Sequence, residues 1–171
     1  MPSPVGHALG ALAAGWLTTP PTADRRRLGL QVACLVALGV APDLDLLWGR
    51  HSRETHSIGA ALVVGLVAAW RRWPLGPSGR GGIFVTAFGA WFSHALMDVH
   101  SIDGAAPFGV MLLWPFSPAF VHAGWAFFDP ISRHFDQPGV WAHNLRAAWH
   151  EVVRVAPVTG LIWWWRHAWR R

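Results

Sequence analysis

The residues with the clearest chemical potential are histidines and aspartates placed near the ends of apolar stretches. His94 and Asp98 are separated by four positions, so on a helix their side chains share one face. Imidazole nitrogens and carboxylate oxygens are ligand atoms for divalent ions such as zinc. Ionisable groups in apolar segments are costly unless they are paired, ligated or facing water. The pair therefore indicates either a metal site or a structural hydrogen bond.

Other apolar stretches carry the same residue types at corresponding ends. In an antiparallel bundle, the start of the first helix, the end of the second, the start of the third and the end of the fourth lie together. These ends bring ligand-type side chains to one depth, which favours a metal site over isolated hydrogen bonds. The predicted metal ligands are His7, Asp43, Asp45, His56, His94, Asp98 and His100.

The two aspartates after the second stretch cannot both face the same way in a regular helix. Pro42 loosens the preceding turn, so the two side chains can diverge. Asp43 is the favoured ligand, and Asp45 is a candidate for supporting the site or orienting an attacking water. His51 and His100 flank the site, either extending it to a second metal or lying in solvent as loop histidines.

Two arginines, Arg50 and Arg53, lie in the same polar joint and are candidate catalytic residues together with Asp45. A guanidinium fork matches phosphate or carboxylate oxygens, and near a metal it would stabilise developing negative charge. The alternative is that these arginines pair with Glu54 or reach toward lipid headgroups.

The elements that must position these residues read as membrane helices. Hydrophobic residues make up 53% of the 171-residue chain and charged residues only 13%, about half the share usual for soluble domains. Apolar stretches run from about 5 to 17, 28 to 48, 57 to 70, 82 to 99 and 147 to 169. We expect an all-α, polytopic transmembrane bundle of four to five helices, forming a single domain over residues 1–171.

The positive charge follows the topology of such a bundle rather than a nucleic-acid surface. All 14 basic residues are arginines, and they cluster between apolar stretches, so no nucleic-acid partner is expected. Nine arginines fall on the predicted cytoplasmic side: 25, 26, 27, 71, 72, 80, 166, 170 and 171. Five fall on the other side with the ligand residues: 50, 53, 133, 146 and 154. The site is therefore expected on the extracytoplasmic side of a bacterial inner membrane.

A segment from Ala105 to Phe128 is too interrupted by proline for a spanning helix and too apolar for an open loop. Its aromatic residues, such as Trp114 and Phe116, favour the membrane–water boundary. We expect an interfacial cover beside the site, contacting membrane lipid. A lipid-linked phosphate entering sideways is the expected substrate, and simple packing on the bundle is the alternative.

The ordered motifs resemble those of the YdjM-like family. They are Gly6-His7, Pro42-Asp43-Leu44-Asp45, Thr55-His56-Ser57, Ser93-His94-Ala95-Leu96-Met97-Asp98 and Leu112-Leu113-Trp114-Pro115. That family is described as LexA-regulated, membrane-bound metal-dependent hydrolases. The ligand order is also similar to that of zinc-dependent phospholipases C and related nucleases, which implies a site of one to three Zn²⁺ ions. Two departures are Ser52, where the family usually has arginine, and a longer stretch between His100 and Leu112.

The resemblance and the residues together predict a metal-dependent hydrolase, with a phosphoester as the favoured substrate and metal-activated water as the nucleophile. One alternative is a divalent metal-ion transporter or sensor using the same ligands, although transport favours ligands near the bilayer midplane. Another is a non-catalytic membrane partner protein in which the metal only joins helices.

Overall fold

The computed structural model describes residues 1–76, 79–102 and 106–168, and within them the chain is all-helical with no strand. The α-helices are α1 (Pro4–Thr18), α2 (Arg25–Val40), α3 (Ile58–Arg71), α4 (Arg80–Val99) and α5 (Val140–Ala168). Two short 3₁₀ helices, Ala41–Trp48 and Glu54–His56, lie between α2 and α3. Ala105, Trp169, Arg170 and Arg171, which enter the predictions above, lie outside the described residues.

Polar side chains fix the start of the first three helices. Ser3 accepts a hydrogen bond from the Gly6 amide at the start of α1, and Asp24 accepts one from the Arg27 amide at the start of α2. Ser57 accepts a hydrogen bond from the Ala60 amide at the start of α3. Such caps satisfy amides that have no partner inside the helix, so the sequence sets these boundaries locally.

The fifth helix differs from its prediction at its start. It begins at Val140, inside the stretch expected as loop, and it continues through Pro157. Its first turns are largely exposed and carry no continuous apolar face, so hydrophobic periodicity does not mark them.

The helices alternate in direction, as the convergence of the ligand residues requires. Contacts of α5 with α1 proceed in step along both: Glu151 with Ser3, Thr159 with the Leu9 carbonyl, and Arg166 with the Trp16 carbonyl. These two helices therefore run parallel. The starts of α1 and α3 and the ends of α2 and α4 meet at one end of the bundle, here called the site end.

Glycines allow α1 to approach its neighbours closely. A Cβ on Gly6 would lie 2.5 Å from a Glu151 carboxylate oxygen, and one on Gly10 would lie 2.5 Å from the Met97 sulfur. Small residues at such positions let helices pack closely. On α2, a Cβ on Gly39 would lie 2.6 Å from the His7 carbonyl oxygen. These contacts place the first turns of α1 directly against the helices that carry the other site residues.

Two helical segments are long and apolar enough to cross a membrane, namely Arg25–Trp48 and Arg80–Val99; α3 is a shorter apolar helix. The all-helical class is thus confirmed for the described residues, whereas a four- to five-span topology stays a prediction.

The aromatic segment between α4 and α5 packs over the site end without forming a helix. The carbonyls of Leu112 and Trp114 accept hydrogen bonds from the amides of Ile58 and Gly59, the first residues of α3. The Met111 amide donates to the Ser52 carbonyl. The segment is therefore fastened to the bundle, while Phe116 remains 83% exposed.

Candidate metal centre

Four side chains from three elements bring ligand atoms to one point. Asp43 comes from the 3₁₀ helix after α2, His56 from the turn before α3, and His94 and Asp98 from α4. The His94 Nε2 atom lies 3.0 Å from His56 Nε2, 3.2 Å from Asp98 Oδ2 and 3.6 Å from Asp43 Oδ1. The His56 Nε2 atom lies 3.4 Å from Asp98 Oδ2 and 3.7 Å from Asp43 Oδ1.

These distances suit ligands of one small cation. Four ligand atoms arranged tetrahedrally at about 2.0–2.1 Å from zinc lie about 3.3 Å from one another. The five measured separations, from 3.0 to 3.7 Å, bracket that value.

The tautomers of the two histidines are set by partners on their outer sides. His94 Nδ1 lies 2.7 Å from the Gly39 carbonyl, to which it must donate because a carbonyl only accepts. His56 Nδ1 lies 3.1 Å from Asp45 Oδ2 and donates to that carboxylate. In the neutral rings, both Nε2 lone pairs then face each other, so either a shared proton or a metal ion must lie between them.

The cluster also holds buried polar atoms that lack a hydrogen-bond partner. They are Nδ1 and Nε2 of His7, Oδ1 of Asp43, and both carboxylate oxygens of Asp98. Burying such atoms unpaired is strongly unfavourable. A single proton would satisfy one close pair, whereas a divalent cation can accept lone pairs from all four convergent residues. The residues present therefore fit a metal ion.

His7 supplies a second potential ligand position beside the first. Its Nε2 lies 3.5 Å from Asp98 Oδ1, and its ring stacks on that of His94 at a centroid distance of 3.6 Å. The two Asp98 oxygens thus face different partners, Oδ2 toward His56 and His94 and Oδ1 toward His7. This bridging arrangement is compatible with one or two ions.

Asp45 lies behind the cluster and holds two histidines. Its Oδ1 accepts from His51 Nδ1 at 2.7 Å, and its Oδ2 accepts from the Thr55 hydroxyl at 2.5 Å and from His56. Its side chain is only 1% exposed, and each carboxylate oxygen accepts at least one hydrogen bond. Asp45 is therefore placed to orient His51 and His56, and its assignments as ligand and as catalytic residue stay predictions.

His56, in the turn before α3, lies outside the candidate membrane spans, and the charges around it change its pKa. Burial lowers the pKa of His56, but its interactions with Asp43 and Asp45 outweigh burial and raise that pKa above its usual value. A metal ion must therefore displace a proton held more firmly than usual, so metal binding weakens as pH falls.

Three predicted residues do not reach the cluster. Arg50 is paired with Glu54, as the alternative interpretation expected, and this hydrogen bond lowers the pKa of Glu54. Arg53 lies over the Phe120 ring, 6.0 Å from its centroid. His100 donates to the Leu96 carbonyl at 2.8 Å and contacts Trp125, because it follows the last turn of α4 and turns away from Asp98.

Two residues that support the site were missed. Glu151, fully buried on α5, accepts from the Ser3 amide at 2.7 Å and so fixes the start of α1, four residues before His7. It lies inside the apolar stretch from 147 to 169, where an acidic residue is itself a signal of a buried partner. Arg133 lies 2.8 Å from His51 Nε2, to which it donates. It belongs to a loop 82 positions away in sequence, which no local pattern could connect to His51.

An all-helical chain with two long apolar helices and a buried His/Asp cluster defines a membrane protein with a potential metal centre. The chain matches the family described as YdjM inner membrane protein over residues 1–169, and it belongs to that family. No match was found among curated proteins or among solved structures.

Proposed function

We propose that this chain is a membrane-bound, metal-dependent hydrolase that acts on a phosphoester, with zinc as the favoured metal. The observation that carries the proposal is the convergence of four ligand atoms, among them unpartnered buried carboxylate oxygens, at separations of 3.0 to 3.7 Å. Bound there, a divalent cation supplies Lewis-acid activation of water and polarisation of a phosphoryl oxygen.

The chain's own residues have distinct parts in this proposal. His56 and His94 present Nε2 lone pairs, held in that tautomer by Asp45 and by the Gly39 carbonyl. His7 has both ring nitrogens unpartnered, so it can accept a proton or serve as a further ligand. Asp43, at 15% exposure, is the most accessible of the four convergent residues, and substrate would approach from its side.

The position of the cluster favours an enzyme over a cation transporter. The residues lie at helix ends, next to a fastened aromatic segment, rather than in the middle of long helices. Exposed aromatic rings at this end, including Phe108 and Trp125, suit the headgroup region of a bilayer. A lipid-linked phosphoester is therefore the substrate class that this end would meet.

The first test combines metal content with hydrolysis of phosphomonoesters and phosphodiesters by detergent-purified protein. We expect bound zinc in the wild type, and loss of both zinc and hydrolysis in His94→Ala and Asp98→Ala. His122→Ala is the matched control, since it removes an exposed loop imidazole whose contact is the Gly124 amide. Full zinc stoichiometry in both α4 variants would show that the cluster is not the metal site.

A further inference from the structure

One cavity of the described chain lies outside the metal cluster, and its described lining residues are cationic or neutral. It has a volume of about 660 Å³ and is formed where the turn containing Arg53 meets the loop containing Arg133. Three histidines, His51, His134 and His143, also line it, and among the described lining residues there is no aspartate or glutamate. A concave site lined by cations favours a negatively charged occupant.

The two arginines of this cavity are not neutralised by carboxylates. Among the described residues, the ion pairs of arginine are Arg50 with Glu54 and Arg154 with Asp129, and neither involves Arg53 or Arg133. Arg133 instead donates to a histidine nitrogen, and Arg53 lies over an aromatic ring. Their remaining N–H groups are available to a ligand, and a guanidinium fork fits phosphate oxygens.

A chain of hydrogen bonds joins this cavity to the metal cluster. Arg133 donates to His51 Nε2 at 2.8 Å, and His51 Nδ1 donates to Asp45 Oδ1 at 2.7 Å. Asp45 in turn holds His56, and His51 Nδ1 also lies 3.9 Å from Asp43 Oδ1. His51, which forms part of the cavity wall, is therefore close to Asp43 of the cluster and is joined to His56 through Asp45.

We infer that this cavity is the binding site for the phosphate group of the substrate, with Arg133 as its principal recognition residue and Arg53 as a second cation. The inference deepens the proposed function and rests on it for the identity of the reaction, but phosphate binding can be measured without turnover. Lipid phosphates and soluble phosphoesters present the same group, so Arg133 would serve both.

The test measures binding of inorganic phosphate to zinc-loaded, detergent-purified protein by equilibrium dialysis. Hydrogen bonds to charged groups are worth about 1.5–3 kcal/mol, so Arg133→Ala should weaken phosphate binding roughly 10- to 100-fold. Arg133→Lys keeps the charge without the fork and should lose less. Arg146→Ala removes an equivalent charge from an exposed position outside the cavity and should bind phosphate like the wild type.

Zinc content and substrate kinetics distinguish this inference from the proposed function. Arg133→Ala should retain its zinc and show a raised KM for both phenyl phosphate and long-chain phosphatidic acid in mixed micelles. A lower wild-type KM for the lipid would identify a lipid source, and a lower KM for phenyl phosphate a soluble one. Unchanged phosphate affinity in Arg133→Ala, or loss of its zinc, would overturn the inference. Phosphate binding that depends on Arg133 without hydrolysis would leave the cavity assignment standing and refute the hydrolase.

Discussion

At the scale of single residues, the most instructive side chain is Asp45, because both of its oxygens accept hydrogen bonds and two of the donors are histidines. Its three donors are His51, His56 and Thr55. Carboxylates that orient metal-binding histidines typically contribute 10- to 100-fold to metal affinity. Asp45 therefore controls the tautomer of His56 and, through it, the strength of the proposed metal site.

We predict that Asp45→Asn lowers zinc affinity by about 10- to 100-fold without abolishing binding. The amide replaces one acceptor oxygen with a donor, so one histidine or threonine loses its partner. Competition with a chromogenic chelator gives the affinity. Asp136→Asn, at an exposed loop position, is the control and should match the wild type. Complete loss of zinc, as expected for Asp98→Ala, would instead identify Asp45 as a ligand.

The sequence allowed some of the residues at the site to be predicted and not others, for physical reasons. His7, Asp43, His56, His94 and Asp98 were identifiable because ionisable residues at the ends of apolar stretches require compensation. Asp43 was favoured over Asp45 as the ligand, but spacing alone does not give the directions in which a 3₁₀ turn aims the two side chains. Arg133 was inaccessible to sequence reasoning because its contact with His51 depends on how a long loop folds back.

At the scale of elements, the site depends on the close approach of α1 and α2. A Cβ on Gly39 would lie 2.5 Å from the Ala11 Cβ and 2.6 Å from the His7 carbonyl oxygen, both rigid parts of α1. The Gly39 carbonyl also holds His94. One glycine of α2 thus sets the separation of α1 and α2 and the orientation of His94, a predicted ligand. The small residues of α1 form only the other side of this contact.

We predict that Gly39→Ala destabilises the protein by about 1–3 kcal/mol and weakens zinc binding, because α1 and α2 must separate. Thermal unfolding in detergent and zinc content measure the two effects. Gly29→Ala on the same helix is the matched control, since a Cβ there meets nothing within 4 Å. If Gly39→Ala unfolds and binds zinc like Gly29→Ala, the helix contact does not support the site.

At the scale of the whole molecule, the arrangement of charge and aromatic residues defines two unlike ends. The end opposite the site carries Arg25, Arg71 and Arg80 near the helix ends, in the clusters from which a cytoplasmic side was predicted. The site end carries the exposed rings of the aromatic segment. By the positive-inside bias, the site should face away from the cytoplasm. Among the described helices, α2 with its 3₁₀ extension and α4 are the two that are both long and apolar enough to cross a membrane.

The number of crossings can be tested together with the orientation, because α3 is the deciding element. It has 14 residues, about 21 Å of helix, which is shorter than the roughly 30 Å hydrocarbon core. Yet it packs along α4 and runs opposite to it, so α3 must cross if the bundle inserts as a unit, with local thinning of the bilayer or tilting of its neighbours. If only α2 and α4 crossed, the loop before α2 and the loop after α4 would lie on the same side.

We therefore predict opposite labelling of Ala23→Cys, before α2, and Gln137→Cys, after α4, each in a Cys34→Ser background. A membrane-impermeant maleimide should modify Gln137→Cys in intact spheroplasts and Ala23→Cys only after lysis. The reason is that three crossings, by α2, α3 and α4, separate the two positions, with Gln137 at the extracytoplasmic site end. The Cys34→Ser protein alone should remain unlabelled. Modification of both positions from the same side would mean that α3 does not span, and modification of Ala23→Cys alone in intact spheroplasts would place the metal cluster in the cytoplasm.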